Sequence, residues 1–328
     1  MSVIAKYIGY IRDIRRYSGR TVALYGDILA DFVRCAGEGR DMTDQEVVAA
    51  IRVPVLRDYV VDMVERELSA KTVSLHMSVL SGFCRYLMMN DLLASNPVKL
   101  VSKPKIEKRL PVFYRKEAME DYFERTSWLM DRREFDFFLS NIDTESGKEL
   151  YDARIARLII SMLYSLGLRR AELIGLTIGD VDFGRNVVKV RGKGDKMREI
   201  PLIVSLCEEI SLYLEAVETM CGGKRSLKEP LLVTYKGRKL YPVYVDRAVK
   251  KELEMQKGIT GRKSPHVLRH SLATGLMDEE TNINSIKELL GHSSLATTQV
   301  YTHSSIARLK DIYKRAHPRA KNGGKHGD

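Results

Sequence analysis

Between Ser264 and His303, forty residues hold His266, Arg269, His270, His292 and Tyr301 close to apolar helix faces. Core packing alone does not select so many ionisable groups, so the stretch asks for a chemical role. After the start signal Ser264-Pro265, the residues Val267, Leu268, Leu272 and Leu276 recur at helical spacing. That spacing puts His266, Arg269 and His270 on one side of an early turn. Donors gathered at a helix start suit an anion. Ile286, Leu289 and Leu290 predict a second helix that stops at Gly291, leaving His292 on the turn beyond it.

Two further cations sit upstream. Ile155, Leu158, Ile159, Met162 and Leu163 predict a buried helix that breaks at Gly167, and RRAELIGL starts the next with Arg169 at its head. A buried arginine needs a partner, which is either Glu172 or a bound anion. Val187, Val188 and Val190 lead into Gly192-Lys193-Gly194-Asp195-Lys196, and Met197 to Leu202 leads away. This is a hairpin with Lys193 at its tip, where a lysine taken alone usually serves only solubility. Residues 231–240 are expected to add a third strand and 243–253 another helix.

Two arginines at helix starts, two or three histidines, a hairpin lysine and a tyrosine meet the needs of phosphoryl transfer without a metal. Arginine forks grip non-bridging oxygens and stabilise the charge that gathers there. A tyrosine can be the nucleophile if a base takes its proton, since its free pKa is about 10. A sugar alkoxide leaves poorly, so a positioned acid is worth roughly 10² to 10⁴ in rate.

The elements that must carry these groups follow from composition and pattern. The chain has 328 residues, enough for two domains, with 54 Lys and Arg against 43 Asp and Glu, a net charge of +11 that favours a polyanionic partner. Cys35, Cys84, Cys207 and Cys221 form no C-x-x-C pair, so neither a disulfide framework nor a zinc site is expected. With no signal peptide or membrane-length apolar run, the reading is a soluble cytoplasmic protein. The first hundred residues predict four or five short helices. The last of these starts after Ser69, runs through Leu75, Val79, Leu80, Phe83 and Leu87, and is closed by Asn96-Pro97, with His76 a surface residue. The run PKIEKRLPVFYRK, basic and stiffened by Pro104 and Pro111, marks a domain boundary. It is either a solvated linker or a strap across a phosphate backbone. Residues 118–151 are charged and aromatic, with Trp128, Phe135, Phe137 and Phe138, and are read as helices with a surface excursion that breaks near Ser146-Gly147.

GLRRAEL at 167–173, VRGKGDKMREIPL at 190–202, SPHVLRHSLAT at 264–274 and LGHSSLATTQVYTH at 290–303, with HPRA at 317–320, resemble the tyrosine recombinases of the phage integrase family, nearest the Xer type. The resemblance spans nearly the whole chain. It implies a mainly α fold with a small β-sheet: a helical, SAM-like core-binding domain over 1–102, a basic linker over 103–111, and a catalytic domain over 112–328. By position it implies Tyr301 as the nucleophile of a 3′-phosphotyrosyl bond and Arg169 and Arg269 as clamps on the scissile phosphate. Lys193 would be the acid for the 5′ oxygen, His266 the acid or base for the tyrosine, and His292 a donor to a phosphate oxygen. Glu172, Asp180 and His270 would be supports. It further implies no cofactor, double-stranded DNA with paired half-sites, and a self-tetramer on two sites. A second recombinase or accessory regulator could join as a partner, and no membrane is involved. The apolar stripe Ile306, Leu309, Ile312 and Ala316 would dock into a neighbouring protomer, followed by a disordered tail from Lys321. The longer segment over residues 126–151 departs from the pattern.

Three rivals stand beside this reading. A zinc hydrolase could use His266, His270 and His292, but the first pair lacks the glutamate of H-E-x-x-H. A type IB topoisomerase would share the tyrosine chemistry, and a DNA-binding regulator would need no catalysis.

Overall fold

The computed structural model describes residues 2–105, 112–192, 196–254, 256 and 258–278. The chain divides into two compact units, Met1–Leu110 and Pro111–Asp328.

The first unit is helical: α1 (Val3–Gly9) running into a π-turn at Tyr10–Ile14, α2 (Gly19–Ala36), α3 (Asp44–Ala50), α4 (Val53–Glu65) and α5 (Ala70–Met89). Ser2, Ser18, Thr43 and Ser69 each accept a backbone N–H in the first turn, which explains where α1, α2, α3 and α5 begin. Leu56, Met63, Met77, Leu80, Phe83 and Leu87 fill the core. Two expectations are corrected. α5 stops at Met89, with Asn90 closing the helix, and Asn96 instead caps a short 3₁₀ turn at Pro97–Leu100. His76 is half-buried rather than on the surface, its Nδ1 2.8 Å from the Tyr59 hydroxyl, which donates to Asp31 at 2.8 Å. Periodicity along α5 shows its apolar stripe but not the partners that α2 and α4 bring to its flank.

The second unit is built on one buried helix. Its elements in order are α6 (Lys116–Arg125), α7 (Arg132–Ser140), α8 (Glu145–Leu166), α9 (Arg170–Gly175), β1 (Val181–Asp182), β2 (Val187–Arg191), β3 (Met197–Pro201), α10 (Val204–Cys221), α11 (Pro242–Glu254) and α12 (Pro265–Asp278). Every residue of α8 from Ile155 to Leu166 is buried, as expected of a helix covered on all sides. It packs against α10, α11 and α12. The chain does not break at Ser146-Gly147, because Thr144 caps α8 there. A Cβ on Gly147 would fall 2.0 Å from the Asn141 carbonyl oxygen, so only glycine allows this approach. Phe135 and Phe138 of α7 are buried and lie 5.1 Å from the Arg154 guanidinium, while Trp128 and Phe137 face outward. The longer segment is thus mostly packed structure.

The sheet is antiparallel in the order β1-β2-β3, with Val188 opposite Ile200 and Val190 opposite Arg198. The third strand is Val181–Asp182 and not residues 231–240, which make only an isolated bridge between Val233 and Lys239. Tyrosines explain the difference. The Val233 amide donates to the Tyr213 hydroxyl at 2.8 Å, and its carbonyl accepts from Tyr151 at 2.9 Å, so its backbone is satisfied without a strand neighbour.

Candidate active site

Gly167 ends α8 in the left-handed conformation, φ +58°, which turns the chain so that Leu168 is buried and Arg169 stands at the head of α9. Glu172, one turn on, folds back. Its carboxylate accepts the Arg169 amide at 2.9 Å and the Arg169 guanidinium at 2.6 Å. Of the two partners open to Arg169 from sequence, the structure shows the carboxylate. Asp180 plays a similar part a few residues later, accepting the amide and hydroxyl of Thr177 at 2.8 Å each and closing the turn before β1.

α12 supplies the second arginine. Its first turn is closed on the Ser264 carbonyl, and in its second turn the Ser271 hydroxyl accepts the Tyr114 amide at 2.7 Å and donates to the Val267 carbonyl at 2.8 Å. Arg269 points inward, donates to the Gly167 carbonyl, and lies 4.0 Å from the Glu172 carboxylate. The turn that presents Arg169 is therefore the turn that holds Arg269. His266, one turn earlier, is exposed, and His270 is half-buried.

Sequence reasoning missed a third cation. Arg198 of β3 is buried beside Ile200 on the inner face and donates to both oxygens of Glu172, at 3.2 and 2.8 Å. A charged residue at an inward position of an otherwise apolar strand pair was the sign that could have revealed it.

One buried carboxylate thus faces three guanidiniums. Burial pushes the Glu172 carboxyl up, but the Arg198 hydrogen bonds and the Arg169 amide outweigh it and hold the group below the ordinary carboxylate range. Burial, then the neighbouring Arg169, pushes Arg269 down to about 10, against the pull of Glu172. Positive charge exceeds negative in a partly buried place, and the Arg169 side chain keeps about a third of its surface open. Such a place attracts an anion with two or more acceptor oxygens. Lys193, His292 and Tyr301 lie outside the described residues, as do the segment from Ile306 to Ala316 and the tail. Among the described residues no group of His, Cys, Asp and Glu is arranged to hold a metal ion, and no helix is long and apolar enough to cross a membrane.

Residues 130–308 match the Phage integrase family, and residues 4–90 match the Phage integrase N-terminal SAM-like domain. The chain belongs to the phage integrase family and is a tyrosine recombinase of the Xer type, an enzyme of site-specific DNA recombination. It is 30% identical over 319 residues to tyrosine recombinase XerC of Chlorobaculum parvum, covering 96% of this chain and 94% of that one. It is 32% identical over 320 residues to XerC of Bacillus pumilus, covering 96% and 95%. Among solved structures, the fold resembles the XerH site-specific recombinase bound to palindromic difH substrate, with a TM-score of 0.65, 21% identity, and 95% and 83% of the two chains covered. It also resembles the Tn1549 transposon integrase in complex with transposon right end DNA, with a TM-score of 0.57, 21% identity, and 94% and 98% covered.

Proposed function

We propose that the protein binds double-stranded DNA carrying paired half-sites and exchanges strands between two such sites as a tetramer, through a covalent 3′-phosphotyrosyl intermediate. The observation that carries this reading is the meeting of Arg169 and Arg269 on Glu172, a clamp shaped for the non-bridging oxygens of one phosphodiester. The net charge of +11 and the DNA held by the XerH and Tn1549 proteins support the choice of partner. In this scheme the second unit is the catalytic domain and the first is a DNA-binding domain.

The step balances without a cofactor. The Tyr301 oxygen attacks phosphorus as its proton passes to His266, and the bond from phosphorus to the 5′ oxygen breaks as Lys193 protonates that oxygen. His292 donates to a phosphate oxygen beside the two arginines, which stabilise the added charge of the transition state. The phosphotyrosyl bond keeps the energy of the broken linkage, so a 5′ hydroxyl from the partner strand can reverse the attack and close the exchanged strand. A site nicked just downstream of the scissile phosphate loses its short leaving fragment and traps the adduct. Tyr301→Phe should bind that site as the native protein does and form no adduct on a denaturing gel. An adduct in that variant would remove Tyr301 from the reaction.

A further inference from the structure

Arg198 occupies a position where packing asks for an apolar side chain. On the inner face of β2 and β3 its neighbours are Val188, Val190 and Ile200, all fully buried. A buried arginine–glutamate pair is seldom more stabilising than an apolar replacement of similar size, whereas a buried charge left alone costs several kcal/mol. Stability therefore does not account for a guanidinium there, and its geometry does. Arg198 spans both oxygens of Glu172, the same carboxylate that receives Arg169 by amide and guanidinium and stands 4.0 Å from Arg269. Held from the sheet side at both oxygens, the carboxylate has little freedom to rotate. The planar fork of arginine matches it in a way that a lysine ammonium cannot.

We infer that Arg198 is a positioning residue of the strand-transfer reaction: by fixing Glu172 it sets the spacing and direction of the two arginines that grip the scissile phosphate. This rests on the phosphate-clamp reading above. Arg198 also keeps the shared carboxylate ionised and partly neutralised, so that Glu172 orients Arg169 and Arg269 without cancelling their charge. The sheet and the two helices are thereby tied to one point. A Cβ placed on Gly192, the residue before Lys193, would lie 3.5 Å from the Arg198 Nη1 and 4.0 Å from the Glu172 Oε1, so the neck of the hairpin passes beside the same pair.

The test is single-turnover cleavage of the nicked site by the full-length protein, with the scissile linkage either a normal phosphodiester or a methylphosphonate. The methylphosphonate is neutral and asks much less of a charge clamp. Arg198→Met, which keeps length and packs, should retain site affinity and thermal stability while slowing phosphodiester cleavage by about 10²-fold, the scale expected of a displacement near 1 Å. It should slow methylphosphonate cleavage by only a few-fold. Arg198→Lys should recover little of the loss, and Glu172→Gln with Arg198→Met should be no slower than the worse of the two alone. Equal slowing on both linkages would mean a general structural role, and native cleavage in Arg198→Met would overturn the inference outright. If Arg198→Met fails to fold, Arg198→Lys decides the matter by the same ratio of rates. Absence of any adduct in the unaltered protein would instead defeat the underlying recombinase mechanism.

Discussion

Two buried arginine–glutamate arrangements lie within the second unit, and they differ in one respect that matters. On α8 and α10, Arg157 and Glu209 face each other at 2.5 Å, about 5% and 4% exposed, with Ser161 donating to the same carboxylate at 3.0 Å and Thr126 accepting from Arg157 at 3.0 Å. There the ion pair is closed off from solvent, and the neighbouring Arg154 guanidinium on the same helix is covered by the rings of Phe135 and Phe138. At the head of α9, one carboxylate meets three guanidiniums and one of these opens to solvent. Burial of charge alone does not mark a functional site. An unbalanced cluster with an open edge does, because the missing negative charge can be brought by a substrate.

The contrast can be broken or sharpened by four kinds of change. The largest effect is expected at Lys193. Replacing it by alanine should slow cleavage of ordinary DNA by about 10² to 10⁴, the worth of a positioned acid. Substituting sulfur for the 5′ bridging oxygen should restore most of the rate, because a thiolate leaves without a proton. No restoration would mean that Lys193 only grips phosphate and adds a fourth cation to the cluster.

The next change is at the closed pair. Glu209→Ala leaves Arg157 buried and uncompensated and should cost about 3 kcal/mol or more in unfolding free energy, measured by urea titration. Cleavage per folded molecule should stay native, and a selective loss of cleavage would blur the distinction between the two clusters.

A smaller effect follows from acid. The Glu172 carboxyl is depressed in the folded state, so its contribution is fully present above its unfolded pKa of about 4.3 and is lost as pH falls through the lower folded value. Melting temperature should therefore drop below about pH 4, and Glu172→Gln should flatten that part of the curve. An unchanged acid limb would show that the carboxylate is not stabilised by its arginines. Smallest of all, EDTA should leave cleavage unaltered, whereas metal dependence would revive a hydrolase that uses His266 and its neighbours.

Local pattern carried much of this. The break at Gly167, the hairpin and the start of α12 are set by residues close in sequence, so Arg169 and Arg269 could be named before any coordinates. What could not be seen were meetings across the fold. Arg198 lies 26 positions from Glu172, on a different element. Residues 231–240 are apolar enough for a strand, yet tyrosine hydroxyls from α8 and α10 take the backbone groups of Val233. His76 sits off its own helix stripe, but Tyr59 of α4 and Asp31 of α2 reach it. In each case a polar side chain from a distant element decided the outcome, and hydrophobic periodicity does not record such partners.

The most direct test sets the two clusters side by side on one nicked site. Arg269→Ala and Arg157→Met are compared for half-site affinity, melting temperature and rate of covalent adduct formation. Arg269→Ala should stay folded, bind DNA and lose on the order of 10² to 10⁴ in adduct formation, as expected when one charge-stabilising donor is removed. Arg157→Met should shift the melting temperature alone and form adduct at the native rate. Native adduct formation by Arg269→Ala, or an equal loss in both variants, would contradict the assignment of the unbalanced cluster as the phosphate clamp.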